Sequence, residues 1–189
     1  MRVHVQLRYP ASVLRVAAML ADPAYGHARV AASGAVVDHI DITAGPGGAF
    51  TVTTRRSMPT DQIPSNFRAR VGTSLDVRQV EAWEAGAGTR RGTVVVEIAG
   101  APVRLTGTLT LEPDGDGDGD GDASVLTYDG DVKANLPIFG ATMEDAAAQA
   151  VRAALEAEQL AGNRWLAEHP GGPAASRPDA GPGDVRDGR

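Results

Sequence analysis

Residues 2–30 read RVHVQLRYPASVLRVAAMLADPAYGHARV. Val3, Val5, Leu7 and Tyr9 alternate with Arg2, His4, Gln6 and Arg8. That period of two marks a half-buried antiparallel strand. Pro10 stops it, because proline has no amide proton for the ladder. Ser12 then stands where an N-cap belongs, before Val13, Val16, Ala17 and Leu20 at i, i+3, i+4 and i+7 of a short helix. Asp22-Pro23 breaks this helix, and residues 24–30 predict a second short one ahead of Ser33-Gly34.

Beyond this opening, strands are predicted at residues 36–42, 50–56, 75–83, 93–98, 103–111 and 124–134, joined by Gly- and Pro-rich connectors at 44–48, 85–88 and 99–102 and by an acidic Gly tract. A loop after Met58-Pro59 carries Ser65, a cap for a short helix through Val71. In the fourth strand the apolar phase shifts from Leu75 and Val77 to Val80 and Ala82, which predicts a bulge near Arg78-Gln79. The longest helix is expected at about residues 142–169. Thr142 and Asp145 have capping-box spacing, and Pro170 forbids continuation. One face carries Met143, Ala147, Ala150, Val151, Ala154, Leu155, Ala161 and Trp165; the other carries Asp145, Gln149, Arg152, Glu156, Gln159 and Asn163.

The chain has 189 residues, which suits one domain and a tail. From Pro170 on it reads PGGPAASRPDAGPGDVRDGR, too poor in large apolar side chains to offset its ordering entropy. The expectation is a domain over 1–169 and a disordered tail over 170–189. The absence of cysteine excludes disulfide frameworks, thiolate zinc sites and cysteine nucleophiles. A net charge of −6 argues against nucleic acid as partner. No apolar run reaches the ~18 residues of a membrane span, and no signal-peptide block opens the chain, so the cytoplasm is the expected compartment.

Strand, two short helices, six strands and a long amphipathic helix describe an α+β domain. Residues 9–16 (YPASVLRV) and 20–25 (LADPAY), with the closing segment from Gly140 through Trp165-Leu166, resemble START-like proteins. This superfamily includes polyketide cyclases, lipid-transfer domains and birch-pollen-type allergens. Residues 56–61 (RSMPTD) and 100–103 (GAPV) are similar to a bacterial branch of unknown function. The resemblance implies a helix-grip fold, in which a seven-stranded, curved antiparallel sheet wraps the C-terminal helix around a cavity. No catalytic residue carries over.

Small side chains at Ala147, Ala150, Ala154 and Ala161 fit such a hollow; the alternative is that they permit close helix–sheet approach with no cavity. The cavity-lining set expected is Val52, Thr54, Arg56 and Met58 around the third strand, Phe67 in the connector after it, Trp83 and Leu109 in the sheet, and Met143, Ala147, Val151, Ala154 and Glu158 on the helix. Arg56 extends the Phe50, Val52, Thr54 face and would grip an anion if that face looks inward; the rarity of unpaired buried Arg favours solvent instead. Glu158 interrupts the apolar stripe of the helix. In an apolar cleft its carboxyl would be raised and able to move a proton, whereas the rarity of buried Glu favours a wet position.

No histidine pair at helical metal spacing and no Gly-x-Ser-x-Gly elbow occurs. The Asp/Gly alternation at residues 114–122 begins like a calcium loop, but its twelfth position is Val125 where a bidentate Glu is required. No metal or cofactor is expected. The function expected is binding, transport or sequestration of a small hydrophobic or amphipathic molecule. Alternatives are a cyclase/aromatase-type enzyme and a protein-interaction module; oligomeric state is left open.

Overall fold

The structure, a computed structural model, describes residues 1–60, 74–115, 123–135 and 140–170. Strand β1 (Arg2–Tyr9) leads into α1 (Val13–Leu20) and α2 (Pro23–Ala32). Six strands follow: β2 (Val36–Ala44), β3 (Phe50–Pro59), β4 (Ser74–Trp83), β5 (Arg90–Ile98), β6 (Val103–Pro113) and β7 (Ser124–Ala134). Helix α3 (Gly140–Glu168) closes the domain. The strands form one antiparallel sheet in the order β1-β7-β6-β5-β4-β3-β2. The chain is thus the expected α+β domain: a curved seven-stranded sheet, a long C-terminal helix, and two short helices after the first strand. The short helix near Ser65, the acidic Gly tract beyond Gly115 and the tail from residue 171 lie outside the described residues.

Local chemistry accounts for the elements. In β1, Val3, Leu7 and Tyr9 are buried while His4, Gln6 and Arg8 are exposed. Ser12 Oγ accepts from the Arg15 amide at 3.4 Å and so caps α1. Asp22, expected only as a breaker, also starts the next helix: its Oδ1 accepts from the Ala24 amide at 2.8 Å, and Pro23 takes the first helical position, where its missing proton costs nothing. Arg15 Nη2 donates to the Leu166 and His169 carbonyls at 2.6 and 2.9 Å, which satisfies two acceptors at the far end of α3. In the sheet, Gly107 lies opposite Gly130, and a Cβ on either would come within 2.5–2.7 Å of the partner strand's carbonyl oxygens.

Two expectations are corrected. β4 has no bulge: its pairing with β3 and β5 runs unbroken, and Val77, Gln79, Glu81 and Trp83 alternate as its buried face. The apparent phase shift arises because two polar residues occupy inward positions. The register shift of this half of the sheet sits in β2, between Val37 and His39. In α3 the buried stripe is Ala148, Leu155, Glu158, Gly162 and Leu166, with Ala147, Val151, Ala154, Ala161 and Trp165 half-buried beside it. Ala150, placed on the inner face from sequence, is exposed. The stripe packs on Val3, Leu7 and Tyr9 of β1 and on α2, where the rings of Tyr25 and Trp165 meet edge to face at 5.8 Å.

Candidate functional site

Between the middle of α3 and the concave sheet lies a buried polar cluster. Each member arrives by an inward position on its own element. α2 buries Tyr25, Gly26, Arg29 and Val30, so Arg29 follows Tyr25 by one turn on the face that meets α3. β4 supplies Gln79 and Glu81, and β7 supplies Tyr128. α3 supplies Glu158, three residues after Leu155 and four before Gly162. Arg29 is 5% exposed, Glu81 0% and Glu158 6%.

Arg29 joins the two carboxyls. Its Nη2 donates to Glu81 Oε1 at 3.0 Å and its Nη1 to Glu81 Oε2 at 3.3 Å, a two-pronged pair. The same Nη1 donates to Glu158 Oε1 at 3.2 Å. Gln79 Nε2 donates to Glu81 Oε1 at 2.5 Å, and the Tyr128 hydroxyl lies 3.4 Å from Glu81 Oε1 and 3.3 Å from Glu158 Oε1. Arg56 completes the chain by donating from Nη1 to Gln79 Oε1 at 2.9 Å. Glu81 therefore accepts from several donors, whereas Glu158 Oε2 has no hydrogen-bond partner among the described residues.

The electrostatics separate the two carboxyls. Burial raises the Glu81 carboxyl, but Arg29, with help from Gln79, reverses this and holds it below the usual range. Burial dominates at Glu158: its carboxyl is raised, only partly relieved by Arg29 and pushed further by the charge on Glu81. Burial also lowers Arg56, and the nearby Arg29 cation adds to the effect. Tyr128 is held well above its ordinary value by burial and then by Glu158 and Glu81, so its hydroxyl stays protonated and available as a donor. Paired carboxyls driven apart by their surroundings are the arrangement from which one takes and releases a proton while the other stays charged.

A cavity of about 70 Å³ opens beside this cluster. Its polar end is formed by Arg29, Arg56, Gln79, Tyr128 and Glu158, its apolar wall by Val94, Val96, Leu105, Val151, Ala154 and Leu155. Of the side chains named from sequence, this places Arg56, Val151, Ala154 and Glu158 around one space. Arg56 is half-buried on the inward side of β3 with its Nη1 on Gln79, and Glu158 is buried beside Arg29, so polar partners inside draw both away from the fully solvated positions favoured from sequence. Val52, Thr54, Trp83 and Leu109 are buried in the sheet without lining the cavity, as Trp83 stacks on Phe50 at 6.0 Å. Met143 and Ala147 are half-buried nearer the start of α3 and do not line it, nor does Met58. Phe67 lies outside the described residues. The hollow is small, since pockets for drug-sized ligands run to roughly 300–1,000 Å³.

Arg29, Gln79, Glu81 and the hydroxyl of Tyr128 were missed from sequence. Two signals pointed to them. Counting back from Trp83 in steps of two puts residues 81 and 79 on the inner face, and Arg29 stands four after Tyr25 on a helix that must cover the sheet. A second, open groove of about 520 Å³ runs between α2 and α3, lined by Ala28, Ala31, Ala157, Leu160 and Ala161 among others.

A family model described as "Protein of unknown function (DUF2505)" matches residues 4–166. Among solved structures, TTHA0849 from Thermus thermophilus is similar at 14% identity over 87% of this chain and 99% of that one, with a TM-score of 0.53. Ms6760 from Mycobacterium smegmatis is 14% identical over 88% of this chain and 91% of its own, with a TM-score of 0.51. The Zhui aromatase/cyclase from Streptomyces sp. R1128 is 16% identical over 89% and 94%, at 0.49. At these identities a likeness speaks to the fold alone. No curated protein matches the chain.

Proposed function

Because the chain belongs to the DUF2505 family of proteins of unknown function, we propose from the geometry of its interior that it binds a small hydrophobic or amphipathic molecule between the sheet and α3. The observation that carries this reading is a cavity with an apolar wall and a polar end, the usual make-up of a small-molecule site. The sheet wrapped on a long closing helix supports a START-like kinship, in which this space is the ligand chamber. Its size limits the guest: an engineered cavity of about 150 Å³ takes benzene, and this one has under half that volume. Arg56, Gln79 and Tyr128 would fix the polar end of the molecule, with Val151 and Ala154 against its apolar part.

A second reading, an enzyme of the cyclase or aromatase type, is favoured by one feature: Glu158, a carboxyl raised by burial, shares the cavity with the Tyr128 hydroxyl. Native mass spectrometry of the purified chain, followed by solvent extraction, tests the binding reading. A small bound species is expected, and it should be lost in Ala154→Leu, which fills the cavity. A bound species that survives this substitution would place the guest elsewhere and defeat the proposal.

A further inference from the structure

Among the described residues the cluster holds two guanidinium groups, Arg29 and Arg56, and two carboxyls, Glu81 and Glu158. With both carboxylates ionised their charges cancel. The donors do not: Arg56 spends Nη1 on Gln79, while its buried Nε has no partner, and Nη2 has none among the described residues. The Nε and Nη2 protons of an arginine lie side by side on one edge, which is the geometry that grips a carboxylate with two parallel hydrogen bonds. Arg56 and Glu158 line the same cavity.

Placing an anion on that edge would leave the buried cluster with one negative charge in excess, an arrangement strongly disfavoured away from water. One of the two carboxyls must then take a proton. Glu81 is not that group, because Arg29 holds both its oxygens and Gln79 donates to it as well. Glu158 shares a single Arg29 nitrogen, and its hydrogen bonds all fall on Oε1, so Oε2 has no partner among the described residues. Among the described residues the charged and titratable groups around it are Arg29 and Tyr25 from α2, Glu81 from β4, Arg56 from β3, Tyr9 from β1 and Tyr128 from β7. Asp129 also lines the cavity, but it is paired with Arg2 at 2.9 Å and His4 at 3.5 Å.

We infer that the cavity takes a short-chain monocarboxylate together with one proton, the carboxylate on the Nε/Nη2 edge of Arg56 and the proton on Glu158. The inference rests on the binding reading above and gives its ligand a chemical class. The cavity volume restricts the chain to a few carbons, and the apolar wall of Val151, Ala154 and Leu155 receives it. No bond of the ligand is broken; the proton that forms the Glu158 O–H comes from solvent, so the molecule enters, in sum, as its neutral acid.

The test is titration of the full chain with acetate and propionate by calorimetry and amide NMR from pH 5 to 8.5, with propionamide as the uncharged isostere. Saturable binding of at least one acid is expected, weakening about tenfold per pH unit once free Glu158 is ionised, because one proton is taken up per ligand. Glu158→Gln should bind the acid with no such slope, and Arg56→Gln should lose at least tenfold in affinity while its thermal midpoint stays within a few degrees of the parent. A slope that persists in Glu158→Gln, or unchanged affinity in Arg56→Gln, would overturn the inference. Propionamide bound as well as propionate would overturn it too, yet leave the binding cavity standing; no probe bound, with no copurified molecule, would remove both.

Discussion

Removing Arg29 should be the most costly single change in the interior. Arg29→Met keeps the length and much of the apolar stem of the side chain and deletes only the cation and its donors. Three hydrogen bonds of 3.0–3.3 Å to two buried carboxyls are lost, and Glu81, 0% exposed, is left without its counter-ion. Breaking a buried pair from one side costs about 3–5 kcal/mol. For a domain of this size each kcal/mol lowers the melting temperature by about 2–4 °C, so the variant should melt about 6–20 °C below the parent at pH 8. The sign of the pH effect follows from the carboxyls. Glu81 is held low by Arg29, so its contribution is present above the ordinary carboxylate range and disappears as pH falls through its lowered value. In the variant Glu81 can escape its penalty by taking a proton, so the gap to the parent should narrow on acidification from pH 8 toward 5. Urea denaturation followed by tryptophan fluorescence at several pH values measures this. Arg29→Met combined with Glu81→Gln should recover most of the loss. A gap under about 1 kcal/mol at pH 8, or one indifferent to pH, would refute the claim that this charge cluster is dry.

Glu158→Gln should behave in the opposite sense. Glu158 is raised, so its contribution is present below the ordinary Glu range and is lost as pH rises through its raised value. The variant should therefore match the parent near pH 4.5 and gain on it by up to roughly 1.4 kcal/mol per pH unit across that window; a variant less stable than the parent at pH 8 would show Glu158 to be an indispensable ionised partner of Arg29. Gly162→Ala should destabilise despite the better helix propensity of Ala, because its Cβ would lie 2.6 Å from Tyr9 Cε1 and 3.2 Å from the Tyr25 hydroxyl. Overpacking costs about 1–3 kcal/mol against a propensity gain of about 1, so thermal melting should show a net loss of about 1 kcal/mol; a stabilised variant would mean that α3 can shift away from β1. Ala154→Leu should keep the melting temperature within a few degrees while abolishing ligand uptake, measured by native mass spectrometry.

The architecture was legible because most inward positions are apolar. β1 announces itself by alternation, the caps at Ser12 and Asp22 are short-range, and Pro170 sits two residues past the end of α3. The site was illegible for the complementary reason. Gln79 and Glu81 on the inner face of β4 look, by hydropathy, like a strand that has slipped phase, and the bulge inferred there was their shadow. Glu158 was seen to interrupt the stripe of α3, but base rates for a lone Glu favour solvent. A buried charge is tolerated only with its partners, and those come from α2, β3, β4 and β7, which no local window of sequence brings together. Judging Arg29, Arg56, Glu81 and Glu158 jointly, as two cations and two carboxyls on inward faces, is what would have found them.

A guest lying between α3 and the concave sheet is the core of the binding proposal. Isotope-filtered NOEs from unlabelled propionate to ¹³C-labelled protein at pH 6 address this directly. Cross-peaks from the ligand protons to the methyls of Val151, Ala154 and Leu105 are the predicted result. Cross-peaks to Leu160 and Ala31 instead would put the ligand in the outer groove and contradict the account.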